Sequence, residues 1–120
     1  MPMLQSIAPI LPVRHMLESI AFYRRLGFHY EPYGDGGDYA FLSMDGFSVH
    51  LRSGGDAELA ANPCGVYFYL EDVDGYFATV TAAGVRTLNR PEDRPWGVRE
   101  FAVSDPDETL LRFGQLLRTR

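Results

Sequence analysis

Trp96 is the residue best suited to bind a small molecule. It is the only tryptophan and stands between Pro95 and Gly97, a loop context in which a large aromatic ring is more often a surface anchor than core filling. The alternative role for its indole is to cover a sheet. Acidic residues follow one another in other loop-like stretches, at Asp35, Asp38, Glu71, Asp72, Asp74, Glu92 and Asp93. A flat aromatic face near carboxylates suits a planar cationic ligand, although loop carboxylates are usually only solvated surface.

Motifs for covalent or phosphate chemistry do not stand out. The residues show no Ser/His/Asp or Cys/His arrangement, and the glycine-rich run at 34–37 predicts a hairpin loop rather than a nucleotide site. Cys64 has no evident activating neighbour and is expected to be inert. Asp105 and Asp107 flank Pro106, and we expect them to stabilise a turn.

Composition narrows the class of protein. A chain of 120 residues fits one domain, and a net charge of −5 has the wrong sign for binding nucleic-acid phosphates. No apolar run reaches the roughly 20 residues of a membrane helix, and the first five residues lack a secretion signal. One cysteine fits a reduced compartment. We therefore expect a cytoplasmic protein without nucleic-acid or membrane partners.

The chain contains two similar halves. Residues Val13–Phe28 align with Leu70–Val85 at a constant offset of 57, and Gly27 then matches Gly84. Both segments have helical periodicity and a glycine where a helix should end.

Strand-like apolar runs surround each helix in the same order. They are Ile7–Val13, Phe28–Glu31, Tyr39–Leu42 and Phe47–Leu51 in the first half, and Val66–Leu70, Val85–Leu88, Arg99–Val103 and Thr109–Phe113 in the second. We predict an α+β fold in a single domain, 1–120, with modules at about 5–52 and 64–116. The segment 53–63 is predicted to be a linker, and the two modules to share a concave surface.

Several segments resemble the vicinal oxygen chelate superfamily, also called the glyoxalase/bleomycin resistance fold. The run Ser19–Phe28 is similar to its first-helix signature, Leu70–Asp74 to its second-module start, and Asp105–Leu111 to its closing turn and last strand. The resemblance extends from about Ile7 to Gln115. It implies two tandem βαβββ modules in a homodimer, and it allows an N-terminal strand to be exchanged between subunits.

Metal-dependent members of that superfamily place ligands at four strand positions. The corresponding residues here are Ala8, His50, Gly65 and Arg112. Only His50 can donate to a cation, whereas a catalytic metal needs about three protein ligands. A one-residue shift of the alignment adds only Cys64. A metal-dependent lyase, isomerase or dioxygenase is therefore disfavoured, but it stays open together with a small-molecule sensor.

The run from Pro95 to Pro106 resembles the bleomycin resistance proteins most closely. Those carry Pro-Trp-Gly, Arg-Glu-Phe-Ala and Asp-Pro at this place, and this sequence inserts Val98 after the glycine. The resemblance implies a dimer that captures the drug in grooves between subunits, without chemistry and without a cofactor. We expect sequestration of a cationic glycopeptide antibiotic of the bleomycin type.

The same resemblance and strand alternation give the remaining candidates. His50 would face the pocket, as a ligand contact or as an ordinary core histidine, and Tyr67 and Tyr69 would share the face of Gly65. Arg112 would pair with Glu100 across the sheet in preference to contacting ligand. Tyr39 and Phe41 share one face, with core packing as the default. The candidate ligand-binding residues are Trp96, His50, Tyr67, Tyr69, Arg112, Tyr39 and Phe41.

Overall fold

The computed structural model describes residues 3–34, 37–61 and 65–117. Within these residues the chain forms eight strands and three helices, in two compact units, Met1–Ala60 and Ala61–Arg120. None of the described helices is long and apolar enough to cross a membrane. Each unit consists of a four-stranded mixed sheet with a helix packed on one face, and the predicted α+β class and the two βαβββ modules are confirmed.

The first unit contains β1 (Ile10–Val13), α1 (Met16–Leu26), β2 (His29–Pro32), β3 (Tyr39–Met44) and β4 (Phe47–Ser53), followed by α2 (Asp56–Ala61). Its strand order is β1-β4-β3-β2, in which β1 is parallel to β4 and the other pairs are antiparallel.

Helix α1 buries one apolar side against this sheet. Ile20, Tyr23 and Leu26 recur at helical spacing and are almost fully buried, as are Leu42 and Leu51 on the facing strands. Burial of each such side chain contributes roughly 1.5–3 kcal/mol. Because side chains alternate along a strand, the residues between the core positions lie on the opposite, helix-free face.

The second unit contains β5 (Gly65–Tyr69), α3 (Val73–Ala82), β6 (Glu92–Arg94), β7 (Val98–Ser104) and β8 (Leu110–Leu116). Its order, β5-β8-β7-β6, repeats that of the first unit, again with one parallel pair. The Asp72 carboxylate accepts a hydrogen bond from the Gly75 N–H and so caps the start of α3.

Aromatic rings dominate the helix side of the second sheet. Phe113 stacks on Phe68 and Phe101 with ring centroids 4.8 and 5.5 Å apart, and the rings of Tyr76 and Phe77 from α3 pack against the same cluster. These contacts assign Phe101 and Phe113 to the core and place Glu100 and Arg112, their neighbours in sequence, on the helix-free face.

Three predicted segments differ from the structure. Val85–Leu88 is not a strand, and the fourth strand of its unit is Glu92–Arg94. The Asn89 side chain accepts the Ala102 N–H at 3.0 Å, where a neighbouring strand would otherwise have supplied a carbonyl. β1 begins at Ile10 rather than Ile7, since Pro9 has no N–H to donate to the ladder. The predicted linker 53–63 contains helix α2.

Candidate functional site

The helix-free face of the first unit carries a group of aromatic side chains. Phe41 on β3 pairs in register with His50 on β4. Tyr39 precedes Phe41 by two residues on the same strand and therefore shares its face. The Tyr39 hydroxyl and His50 Nδ1 are 2.8 Å apart and share a hydrogen bond. Tyr39 and Phe41 are half-buried outside the core, so the default expectation that they pack in the core is wrong.

Tyr33 completes a cluster of four rings with Tyr39, Phe41 and His50. Its centroid is 6.0 Å from the Tyr39 ring and 5.7 Å from the Phe41 ring, while the His50 ring is 4.9 Å from Phe41. All these contacts are edge-to-face, the geometry that favours attraction between ring edges and faces. The Tyr33 side chain is 61% exposed, so the cluster presents an aromatic surface to solvent.

Sequence reasoning missed Tyr33, although a signal for it exists. Pro32 and Gly34 flank Tyr33, and Pro95 and Gly97 flank Trp96 in the same way. A proline and a glycine around one aromatic residue hold it in a turn, away from the core.

A buried carboxylate organises the corresponding face of the second unit. Glu100 is only 7% exposed, and the Tyr67 hydroxyl donates to its Oε1 at 2.6 Å. Its Oε2 lies 3.5 Å from Arg94 Nε. Burial, together with the hydrogen bond to Glu100 and its negative charge, raises the pKa of the Tyr67 phenol above the ordinary 10.0.

The expected pairing of Arg112 with Glu100 is wrong. In register, Arg112 lies opposite Tyr67 and Ala102, whereas Glu100 lies opposite Gly114. Arg94 comes from the neighbouring strand β6 and reaches the carboxylate instead. Arg112 is exposed and forms no ion pair or hydrogen bond with the residues that the structure describes.

Gly114 allows Tyr67 to reach Glu100. The Tyr67 side chain crosses β8, and a Cβ on residue 114 would lie 2.8 Å from its Cζ and 3.0 Å from its Cε1. Only glycine leaves room for the ring at this crossing, and this places a phenol over the middle of the sheet.

An open pocket of about 540 Å³ lies on this face of the second unit. Its polar lining is Asn89, Arg94, Glu100 and Arg112, and its ring-bearing and apolar lining includes Tyr67, Leu88 and Trp96. Trp96 lies in a turn closed by a hydrogen bond from the Gly97 N–H to the Arg94 carbonyl, with Gly97 at φ +92°. Its indole is 68% exposed at the pocket rim.

Six of the seven candidates therefore fall into two groups. Tyr39, Phe41 and His50 meet in the first unit, and Tyr67, Trp96 and Arg112 line the pocket in the second. Tyr69 is 66% exposed outside that lining, with its ring centroid 4.7 Å from that of Tyr67. The structure brings together the members of each group, and it adds Tyr33 to the first and Arg94 and Glu100 to the second.

The residues at the four superfamily ligand positions do not fit a metal ion. Ala8 and Gly65 carry no donor atom, and the Arg112 guanidinium repels a cation. His50 Nδ1 is already shared with the Tyr39 hydroxyl. Among the residues that the structure describes, no three His, Cys, Asp or Glu side chains are grouped so that they could hold a metal.

Comparison with known proteins agrees with this fold. The Glyoxalase/Bleomycin resistance protein/Dioxygenase superfamily model matches residues 4–113. Bleomycin resistance proteins of Geobacillus stearothermophilus and Staphylococcus aureus are each 30% identical over 98% of this chain and 100% of their own length. The crystal structure of a bleomycin resistance determinant encoded on the transposon Tn5 has 25% identity and a TM-score of 0.80, covering 94% of this chain and 98% of its own.

A bleomycin-binding protein solved in complex with bleomycin is also similar, at 25% identity and a TM-score of 0.77 over 93% of this chain and 98% of its own. The match covers both βαβββ units and is not confined to one motif. The chain belongs to the glyoxalase/bleomycin resistance protein/dioxygenase superfamily.

Proposed function

We propose that this protein captures an antibiotic of the bleomycin type and confers resistance by stoichiometric binding. The observation that carries the proposal is the full-length similarity to proteins named for bleomycin resistance, one of which was solved with bleomycin bound. Capture needs affinity for the drug and no turnover.

The aromatic surfaces supply suitable chemistry for such a ligand. Bleomycin-type molecules are cationic and carry flat heteroaromatic rings, which stack on exposed aromatic faces. The four-ring cluster around Phe41 and the exposed indole of Trp96 provide such faces. The net charge of −5 attracts a cation at long range.

Each candidate residue has a defined proposed contact. Tyr39, Phe41 and His50, with Tyr33, stack against planar or cationic groups. Tyr67, Tyr69 and Trp96 form the aromatic contacts of the second unit. Arg112 has the same charge sign as the drug, and its proposed partners are therefore the drug's carbonyl and other acceptor groups rather than its cationic ones.

Binding without catalysis is part of the proposal. The superfamily contains enzymes as well as binding proteins, so membership alone does not choose between them. The lack of donor atoms at three of the four ligand positions favours a metal-free binding protein. Metal analysis of protein purified without chelator separates the two: one bound divalent ion per chain would favour a metal-dependent enzyme.

We further propose that the protein acts as a cytoplasmic homodimer, with an N-terminal strand exchanged between subunits. Met3, Leu4 and Ile7, which precede the edge strand β1, are each more than 70% exposed, so a second subunit would bury apolar surface there. Light scattering at micromolar concentration should give twice the monomer mass of 13.5 kDa. A monomer would contradict this assembly but not drug capture.

Calorimetric titration with bleomycin tests the function directly. We expect saturable binding at micromolar drug or below, accompanied by a change in Trp96 fluorescence. Tyr33→Ala should weaken binding about fivefold or more, since it removes the most exposed ring of the four-ring cluster. Phe47→Ala is the matched control, because Phe47 is 77% exposed but lies on the face of β4 opposite to His50. Absence of saturable binding would refute the proposal.

A further inference from the structure

The pocket of the second unit has free hydrogen-bond donors but few free acceptors. Glu100 is engaged at both oxygens, by the Tyr67 hydroxyl and by Arg94. The Asn89 side chain is also engaged at both ends, because its Oδ1 accepts the Ala102 N–H and its Nδ2 donates to the Arg90 carbonyl. The groups that would bind a cation or a donor are therefore already occupied.

Two arginines supply the unused donors. Arg112 lines the pocket and pairs with nothing among the residues that the structure describes. The Nε of Arg94 is buried and makes no hydrogen bond, because its 3.5 Å separation from Glu100 Oε2 satisfies an ion pair only. A buried donor without an acceptor is costly, so an incoming acceptor at this place would be stabilised.

The charges of the lining also favour an anionic ligand. Arg94 is paired with Glu100 in the lining and with Glu92 outside it, at 3.2 Å between Nη1 and Oε1, so the uncompensated positive charge of the pocket is that of Arg112. Arginine forms paired hydrogen bonds with the two oxygens of a carboxylate, which makes a carboxylate the best-fitting anion.

An aromatic wall stands beside these donors. The exposed face of Trp96 and the exposed side chain of Leu88, 57% accessible, border the same pocket. Its volume of about 540 Å³ lies within the usual range for small-molecule sites.

We propose that this pocket binds a planar aromatic carboxylate. The carboxylate pairs with Arg112 and takes the unused Nε–H of Arg94, while the ring lies against Trp96. The site is distinct in charge preference from the cation-attracting aromatic cluster of the first unit. It uses Trp96 and Arg112, which are also proposed drug contacts, but its ligand carries the opposite charge and needs only residues of the second unit, so a failure to bind the carboxylate would leave bleomycin capture intact.

Calorimetry with a matched series of probes tests the site. The series is 2-naphthoate, its neutral amide and its aminomethyl analogue, which share one ring system and differ in charge. We expect 2-naphthoate to bind saturably, at least about tenfold tighter than the amide, and the amine to bind most weakly. Equal affinities for the acid and the amide would refute the proposal.

Variants locate the binding. Arg112→Gln should reduce the 2-naphthoate affinity to the level of the amide while leaving the amide affinity unchanged, and Arg112→Lys should restore part of the difference. Arg86→Gln is the matched control, since it removes an exposed arginine of the same unit that does not line the pocket. Unchanged acid binding in Arg112→Gln, or an equal loss in Arg86→Gln, would contradict the assignment. Bleomycin titration of the same variants reports separately on drug capture.

Discussion

The hydroxyl of Tyr67 donates a 2.6 Å hydrogen bond to Oε1 of Glu100 across the intervening strand β8. This bond connects the first strand of the second unit to the third strand in space. The phenol also supplies the nearly buried carboxylate with a hydrogen-bond donor in place of the water that burial removes. The hydrogen bond that holds the Glu100 side chain in place thus joins two residues that lie 33 positions apart in the sequence.

Tyr67→Phe should make the unfolding free energy less sensitive to alkaline pH. The folded protein holds the pKa of Tyr67 above its ordinary 10.0, so the protonated phenol stabilises the fold fully below about pH 10. That stabilisation is lost as pH rises from 10 through the raised pKa. Urea unfolding between pH 9 and 11 should therefore show a shallower decline in the variant than in the wild type.

A comparison at neutral pH controls for general damage in this variant. Between pH 7 and 9 the two stability curves should run parallel, with Tyr67→Phe lower by about 1–2 kcal/mol for the lost hydrogen bond. Tyr76, whose pKa is also raised by burial, contributes equally in both proteins. An identical decline above pH 10 would show that the Tyr67 phenol does not carry this stabilisation.

Gly114→Ala should destabilise the protein through its contact with Tyr67. The added methyl group overlaps the Tyr67 ring, and displacing the ring breaks its bond to Glu100. We expect a loss of about 1–3 kcal/mol in urea unfolding. Combination with Tyr67→Ala should cost less than the sum of the single changes, since the overlap is then removed. Strictly additive effects would contradict the close approach.

Trp96→Ala should weaken bleomycin binding with little effect on folding. The indole is 68% exposed, so its removal should change the unfolding free energy by no more than about 0.5 kcal/mol. Calorimetric affinity for bleomycin should fall about fivefold or more because a stacking face is lost. Leu17→Ala, at an exposed position on α1, should leave the affinity unchanged. Equal affinity in the wild type and Trp96→Ala would remove Trp96 from the proposed site.

Asp105→Ala should destabilise the turn before β8. The Asp105 side chain is 3% exposed, and its Oδ1 accepts hydrogen bonds of 2.8 Å from the N–H groups of Asp107 and Thr109. Loss of this acceptor removes two hydrogen bonds, one of them buried, at an expected cost of about 2–4 kcal/mol in urea unfolding. Asp105→Asn keeps an acceptor oxygen and should lose less. An alanine variant as stable as the asparagine variant would refute this role.

Local sequence patterns were sufficient for the parts of the fold that depend on neighbours in sequence. Helical periodicity predicted α1 and α3, and Asp105 serves its turn as expected. Strand alternation likewise placed Tyr67 and Tyr69 on one face. Strand β6 was predicted at Val85–Leu88, whereas it lies at Glu92–Arg94. The Ala102 N–H donates to the Asn89 side chain instead of to a backbone carbonyl, and local patterns do not predict such a contact between residues distant in sequence.

Local sequence patterns could not predict which other side chains the candidate residues contact. Periodicity fixes which face a residue occupies, since successive side chains point to opposite sides of a strand, but it does not fix strand order or register. Both β8, with Arg112, and β6, with Arg94, pair with β7, and it is the Arg94 side chain that reaches Glu100. The sequence alone determined the superfamily, the lack of a metal-binding group at three of its four metal positions and the turn at Trp96. Only the tertiary structure decided which arginine stays unpaired and that Tyr33 joins the aromatic cluster, because these contacts are made between strands that the chain brings together from distant positions.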